Sequence, residues 1–438
     1  MDPRLRRLAS DYGMVLVLLL LCAGFSGLTL EEQPATGPDA AARLAATIRG
    51  DLPGEPRALV VVRQRPDEEA FAQAVAGELA AAGVDVVEVV RGEPPAARAA
   101  LGRIAAGGGR LDAVVGTQTT SSWLLFRSLA EDFPALGTPR IYTPAAFRWP
   151  NFLKRDNLLN IANQIAVIAI MAVGMTMVII SGGIDLSVGS LAALSAVVAT
   201  RLIRDVAGGT EAAAGGMVLA CLAAIVACGL VGCVSGFVIT SCGVPPFIVT
   251  LAMMLGASGL ASIVAEGESI YQIPQAFVWL GRGADLGLPN AVLLMLGLYA
   301  AAHVVMTRTR FGRHLYAVGG NREAARLSGV PVERVQLAAY VISGLLAGLG
   351  GVLMASQLKS GSPTYGAMYE LYVIAAVVVG GTALAGGEGR VLGTLVGAFI
   401  IAVIQNGMNL MGIESYTQRV VLGLVILAAV LVDRLRHR

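Results

Sequence analysis

The stretch Gly174–Leu194, GMTMVIISGGIDLSVGSLAAL, decides how the rest of the chain is read. Two apolar runs meet in it at a glycine pair, an acid and two serines. Asp185 is the only ionisable residue between Asp156 and Arg201. An Asp at mid-bilayer costs about 2.5–3.5 kcal/mol on insertion scales, so its place needs a physical reason. Gly182 and Gly183 free the backbone. Asp185 is placed to cap a helix beginning at Leu186, whose dipole offsets part of the cost. Two readings stay open: a capped turn at the membrane boundary, or a broken helix lining a pathway.

Working outward, eight more apolar runs fit this setting, one before Gly182 and seven beyond Asp185's own helix at about 187–203. They fall at about 161–180, 215–240, 246–265, 289–307, 335–356, 370–385, 391–410 and 418–432. With a further run from about Tyr12 to Leu30, they give ten candidate spans near the length a bilayer requires. Ten spans put both termini on one side. The positive-inside rule agrees. Arg4, Arg6 and Arg7, the six arginines of loop 308–334, and Arg434, Arg436 and Arg438 all fall on the cytoplasmic face, while Arg201 and Arg204 are a mild exception outside.

The chain of 438 residues is 55% apolar and 14% charged, with net charge +2. That composition excludes a disordered chain, a basic nucleic-acid binder and an ordinary soluble enzyme. Residues 31–158 carry 30 of the 62 charged residues, a soluble-domain density, whereas the other 310 carry 32. The resulting expectation is an all-α polytopic membrane protein of about ten transmembrane helices with an inserted periplasmic α/β domain. Its segments are a first helix at 1–30, the insert at 31–146 and a membrane domain at 147–438. The five cysteines lie in apolar runs and the three histidines are scattered. Neither set has metal or disulfide spacing, so no metal site is expected.

Within the insert, Arg57–Gln64, Val84–Val90, Leu111–Thr117 and Pro139–Thr143 read as strands. They alternate with helical stretches at about 67–82, 94–106 and 121–136. Alternation of this kind predicts a parallel sheet with helices on its faces. The order resembles one lobe of a periplasmic sugar-binding protein. Ligands of such sheets sit at the strands' carboxyl ends, here Arg65, Pro66, Asp67, Gly116, Thr117 and Gln118. Docking or a purely structural role is the other reading of the insert.

Loop 308–334 has its own local logic. Asn321 suits a helix N-cap, and Glu323 stands in the first turn, where the dipole favours it. Gly329 stops the helix, and Pro331 opens the next one. A two-turn helix is marginal alone, so something is expected to pack on it. The five glycines of Gly380–Gly389, around Thr382 and Glu388, form a tight turn or part of a gate, on the same side as Gly182–Asp185. Neither Lys154 nor Lys359, the only lysines, sits in a P-loop, and no hydrolase, kinase or zinc-protease motif is present.

With these residues in hand, the chain resembles the ribose-type monosaccharide permeases, the membrane subunits of binding-protein-dependent ATP-driven (ABC) importers. The likeness is carried by Gly174–Leu194 and by FRWPNFLKRDNLLNIANQ (Phe147–Gln164). It continues through TRFGRHLYAVGGNREAARLSGV (Thr309–Val330), AAVVVGGTALAGGEGRVLGTLVGA (Ala375–Ala398) and NGMNLMGIESYTQRVVLGLVILAAVLVD (Asn406–Asp433). It covers about Phe147–Asp433 and the first helix. The insert at 31–146 departs from it, because such permeases usually have a short loop there.

The resemblance implies that Asn321, Glu323, Ala324, Ala325 and Gly329 belong to a coupling helix that docks on a separate ABC ATPase subunit, where the ATP is used. This chain itself would hold no cofactor and act as no enzyme. It further implies a periplasmic sugar-binding protein, a second permease copy or sister permease, surrounding lipid, no nucleic acid, and a place in the bacterial inner membrane. Polar groups in the helices are the candidates for the translocation pathway: Asn163, Gln164, Gly182, Gly183, Asp185, Ser187, Thr250, Gln405 and Asn406. Two other functions fit the composition. An ion-coupled secondary transporter would need intramembrane carboxylates, for which Asp185 and Glu370 are the candidates. A receptor would read its ligand through residues 57–143.

Overall fold

The computed structural model describes residues 3–33, 35 and 37–436, with side chains for 13–33, 35, 37–428 and 431 among them. The basic groups of Arg4, Arg6, Arg7, Arg434 and Arg436 lie outside the described side chains, and His437 and Arg438 outside the described residues. The chain folds into two compact units, Leu30–Pro150 and the remainder.

The first unit holds strands β1 (Leu30–Gln33), β2 (Arg57–Val62), β3 (Asp85–Arg91), β4 (Ala113–Gly116), β5 (Arg140–Tyr142) and β6 (Phe147–Pro150). Four of them form a parallel sheet in the order β3-β2-β4-β5. Strand β2 explains why the sheet is covered on both faces. Ala58, Val60 and Val62 pack with helices Pro38–Asp51 and Pro66–Ala81, while Leu59 and Val61 pack with helix Pro94–Ala106. The period of two in the strand sends alternate residues to opposite cores. The antiparallel pair β1–β6 closes the unit and carries it to Pro150, four residues beyond the expected end of the insert at 146.

The helix expected at 121–136 does not form as one piece. Instead there are three single turns, Gln118–Ser121, Leu124–Arg127 and Leu129–Asp132, followed by the 3-10 turn Pro134–Leu136. Thr120 Oγ1 donates to Thr117 O at 3.2 Å and Ser122 Oγ to Thr119 O at 2.8 Å. Hydroxyls that bond local backbone in this way compete with a continuous helix.

In the second unit every apolar run is helical. Six helices among the described residues are long and apolar enough to cross a membrane: Arg155–Ile180, Ala214–Ser241, Pro246–Val264, Asn290–Arg308, Val332–Leu358 and Val391–Leu410. The other apolar runs form helix Pro3–Leu28, helix Val188–Asp205, the short Tyr369–Val379 and Ser415–Arg436, which are not among those six. The run read as 370–385 yields a helix of only 11 residues, about 16 Å, because the chain turns at Gly380 and Gly381.

Helix Arg155–Ile180 is the core element, with Thr176 Oγ1 and Thr394 Oγ1 2.8 Å apart and Tyr299 Oη donating to Ala169 O at 2.9 Å. Glycine sets the helix spacing. A Cβ at Gly174 would lie 2.7 Å from Ser343 Cα, so helices 155–180 and 332–358 touch backbone to backbone. Small residues serve membrane helices in this way where the hydrophobic effect cannot drive association.

Candidate functional site

Two polar features lie at opposite ends of helix 155–180. At its start is a cavity of about 260 Å³. Gln164 reaches it from this helix, Gln357 from the end of helix 332–358, Gln405 from helix 391–410, and Tyr369 from the start of helix 369–379. Ile165 and Met354 supply part of the apolar wall. Neutral amides and a phenol offer donors and acceptors without charge.

At the other end, helix 155–180 stops at Ile180 and the chain turns through Gly182, whose φ of +83° is a left-handed conformation. The segment then folds back along helix 332–358. Asp185 is buried and takes three donors: Ser187 N at 3.0 Å, Ser187 Oγ at 2.6 Å and Ser343 Oγ at 2.8 Å. Ser343 also packs on Gly174, six residues before Ile180, so the carboxylate sits about 9 Å back along that helix from its end. Asp185 does not cap a helix from Leu186. The helix starts at Val188 with Ser187 as N-cap, and the carboxylate closes a turn onto the Ser187 N–H two residues on. Gln336 Nε2 donates to Ser181 O at 3.3 Å. The Tyr340 ring covers Gly183, where a Cβ would come within 3.2 Å of Cζ. Thr250 Oγ1 reaches Ile184 O at 3.3 Å.

The predicted pathway residues therefore divide. Gln164 and Gln405 line the cavity. Gly182, Gly183, Asp185, Ser187 and Thr250 form or touch the break. Asn163 and Asn406 do neither, because their amides brace helices. Asn406 and Asn157 exchange hydrogen bonds at 2.8 and 3.0 Å, and Asn163 Nδ2 donates to Gly281 O at 3.3 Å. The sequence alone does not single out Gln357, Tyr369, Gln336, Tyr340 and Ser343. The last three had a legible signal, since 336, 340 and 343 make one polar stripe on an apolar helix.

Loop 308–334 folds as helix Arg310–Gly320 followed by helix Arg322–Leu327. Asn321 Oδ1 accepts from Ala324 N at 2.9 Å, the capping geometry. Glu323 stands exposed in the first turn and Ala325 is buried. Gly329, at φ +80°, ends the helix, with Val330 N donating to Ala325 O at 3.0 Å. Leu327 is 88% exposed and Arg326 pairs with Glu333.

In the Leu30–Pro150 unit, the carboxyl ends of β2 and β4 flank the point where the sheet order reverses. Glu68, whose side chain is 3% exposed, fills that position. It accepts from Arg63 N and Nε, both at 2.8 Å, and from the rest of the Arg63 guanidinium. The crevice holds the protein's own ion pair, and the contacts come from Arg63 and Glu68 instead of Arg65, Asp67 or Gln118.

A bundle of apolar helices with a cavity whose mainly apolar wall carries uncharged polar groups, and with a glycine-broken helix, fits a multi-pass membrane transport protein. The chain belongs to the family of branched-chain amino acid transport system permease components, whose model matches residues 157–430. It is 45% identical over 289 residues to the ribose import permease protein RbsC of Escherichia coli (strain K12), and 43% identical over 287 residues to RbsC of Bacillus subtilis (strain 168). In both cases the match takes in 65% of this chain and 87% of the relative. The L-arabinose transport system permease protein AraH of Escherichia coli (strain K12) is 36% identical over 298 residues, 68% of this chain and 88% of AraH. No solved structure matches the chain. Membership of the permease family accords with the resemblance drawn from the sequence.

Proposed function

We propose that this chain is the membrane permease subunit of an ATP-driven importer that carries a monosaccharide across the bacterial inner membrane. The observation that carries the substrate class is the cavity. At about 260 Å³ it falls just below the roughly 300–1,000 Å³ of sites for drug-sized ligands, and its polar groups are uncharged. A single neutral sugar ring fits that description. The ribose and arabinose permeases among its relatives point the same way.

The pathway runs past Gln164, Gln357, Gln405 and Tyr369 toward the break at Gly182–Ser187. Ten spans place both termini and loop 308–334 in the cytoplasm and the Leu30–Pro150 unit in the periplasm. Asn321–Gly329 is the coupling helix: its capped start and the exposed Leu327 suit docking on an ABC ATPase subunit, which binds and hydrolyses the ATP. A periplasmic binding protein delivers the sugar, and a second permease copy or sister permease completes the path. The chain has no catalytic role of its own. The three hydrogen bonds that commit Asp185 to its turn favour ATP drive over ion coupling.

The test is uptake of radiolabelled D-ribose, L-arabinose and D-allose in cells expressing the whole system. Uptake is expected to stop on ATP depletion with the proton gradient held, and to survive an uncoupler while ATP is maintained. The reverse pattern would replace ATP drive with ion coupling.

A further inference from the structure

Two glycine turns and a glycine-ended helix from distant parts of the chain meet at the end of helix 155–180, backbone against backbone. Gly387 N donates to Ile180 O at 2.9 Å. A Cβ at Gly386 would lie 3.1 Å from Gly182 Cα, and one at Gly387 would lie 2.8 Å from Gly320 Cα. A Cβ at Gly319 would fall on the Ile180 carbonyl oxygen and 2.5 Å from Gly387 N. Gly182, Gly386 and Gly387 all have φ between +78° and +89°, a conformation that glycine alone adopts freely. Tyr316 Oη, on helix Arg310–Gly320, ties that helix to the Gly380–Gly389 turn by donating to Gly389 O at 2.8 Å. Gly319 and Gly320 end helix Arg310–Gly320, and the next residue, Asn321, caps the helix Arg322–Leu327.

We infer that this junction is the mechanical link between the ATPase-docking helix and the gate, an inference that rests on the permease reading above. A push on helix 322–327 reaches Gly319 and Gly320 through a single capping residue. Side chains absorb small displacements by changing rotamer, but touching backbones do not. The movement therefore passes to Ile180 and the Ser181–Ser187 break, and in parallel to the Gly380–Gly389 turn. Gly319 is a positioning residue in this scheme, because it transmits movement and touches no substrate.

The test uses the purified complex with its ATPase subunit and binding protein in proteoliposomes, with sugar uptake and ATP hydrolysis measured together. The probe is whichever of D-ribose, L-arabinose and D-allose the wild type carries. Gly319→Ala is expected to keep hydrolysis within about twofold while uptake falls at least about tenfold, in the usual range of coupling energies. Tyr316→Phe, which loses one hydrogen bond, should lower uptake per ATP by about threefold. Gly297→Ala, at a position with open space around it, should match the wild type.

An unchanged uptake-per-ATP ratio in both Gly319→Ala and Tyr316→Phe overturns the inference. So does an equal loss of uptake and hydrolysis, which would mark a structural contact. If Gly319→Ala fails to assemble, the ratio for Tyr316→Phe decides alone. A wild-type complex without ATP-dependent uptake overturns the permease reading, and this inference with it.

Discussion

Removing Asp185 and Ser343 singly and together tests whether the break in the signature segment is held by the bond between them. Ser343 Oγ donates to Asp185 at 2.8 Å across 158 residues of sequence. A hydrogen bond to an ionised acceptor in a soluble protein contributes about 1.5–3 kcal/mol. Interhelical hydrogen bonds in membrane proteins average about 0.6 kcal/mol and reach about 1.7, because the unfolded chain in lipid also finds partners. Asp185 is buried and has only three donors, two of them from Ser187, so little else replaces Ser343. The coupling energy should therefore lie at the upper end of the membrane range, about 1–1.7 kcal/mol, or about 5–20-fold in the unfolding equilibrium.

The single variants should behave differently from each other. Ser343→Ala strands an acceptor and is destabilising by about 1–2 kcal/mol. Asp185→Ala loses three bonds at once, and because the unfolded chain also stays in the micelle no insertion cost is recovered, so it should destabilise by about 2–3 kcal/mol, more than Ser343→Ala. The measurement is SDS-driven unfolding in mixed micelles, followed by circular dichroism, as a double-mutant cycle. A coupling energy below about 0.3 kcal/mol would mean that the carboxylate is held by its own turn alone, and the account of the break would be wrong.

Two further outcomes follow from the geometry. Gln405→Leu and Gln164→Leu should each raise the KM for sugar uptake by about three- to tenfold, the value of one neutral hydrogen bond; an unchanged KM in both would remove the cavity from the pathway. Glu68→Gln should destabilise the Leu30–Pro150 unit by about 1–3 kcal/mol, discounted from the buried-pair figure because the Arg63 side chain is 20% exposed. Hydrogen exchange in the full-length protein reads this as faster exchange at the amide of Arg63, and unchanged protection there would refute it.

The parts of the fold legible in the sequence were those fixed by local composition. Each apolar run became a helix because its length and hydropathy suffice without any partner. Strands β2, β4 and β5 lie within the expected β-rich stretches for the same reason, and β3 runs one residue past its stretch, to Arg91. Helix Pro38–Asp51 lies before the 57–143 stretch that the strand–helix alternation singles out, although Ala41, Leu44, Ala45 and Ile48 keep helical spacing and are buried. The 121–136 stretch breaks into single turns, and Ser122 within it bonds local backbone, its Oγ donating to Thr119 O. The site was legible only in halves. Asp185 announces itself as a lone acid in apolar sequence, but its partner Ser343 is defined by a helix contact far along the chain. Asn163 and Asn406 look identical to Gln164 and Gln405 in sequence. Only the fold tells an amide that braces two helices from one that faces a cavity.

Burial separates two kinds of helix that hydropathy makes alike, and it assigns helix 155–180 its role. The most apolar window of this helix is 89% buried, against 22% for helix 246–264. The latter has the pattern of a helix solvated by lipid; the former is enclosed by protein on every side. Helix 155–180 also joins the two features that the proposed transport cycle must connect. Gln164 faces the cavity and Ile180 receives the hydrogen bond of the glycine junction, 16 residues or about 24 Å away. A helix without proline or an internal break transmits an axial shift or a rotation along its whole length, so movement entering at Ile180 must appear at Gln164. In the proposed cycle the substrate end and the ATPase end thus need no separate relay, because one buried helix carries a wall of the cavity and a face of the junction.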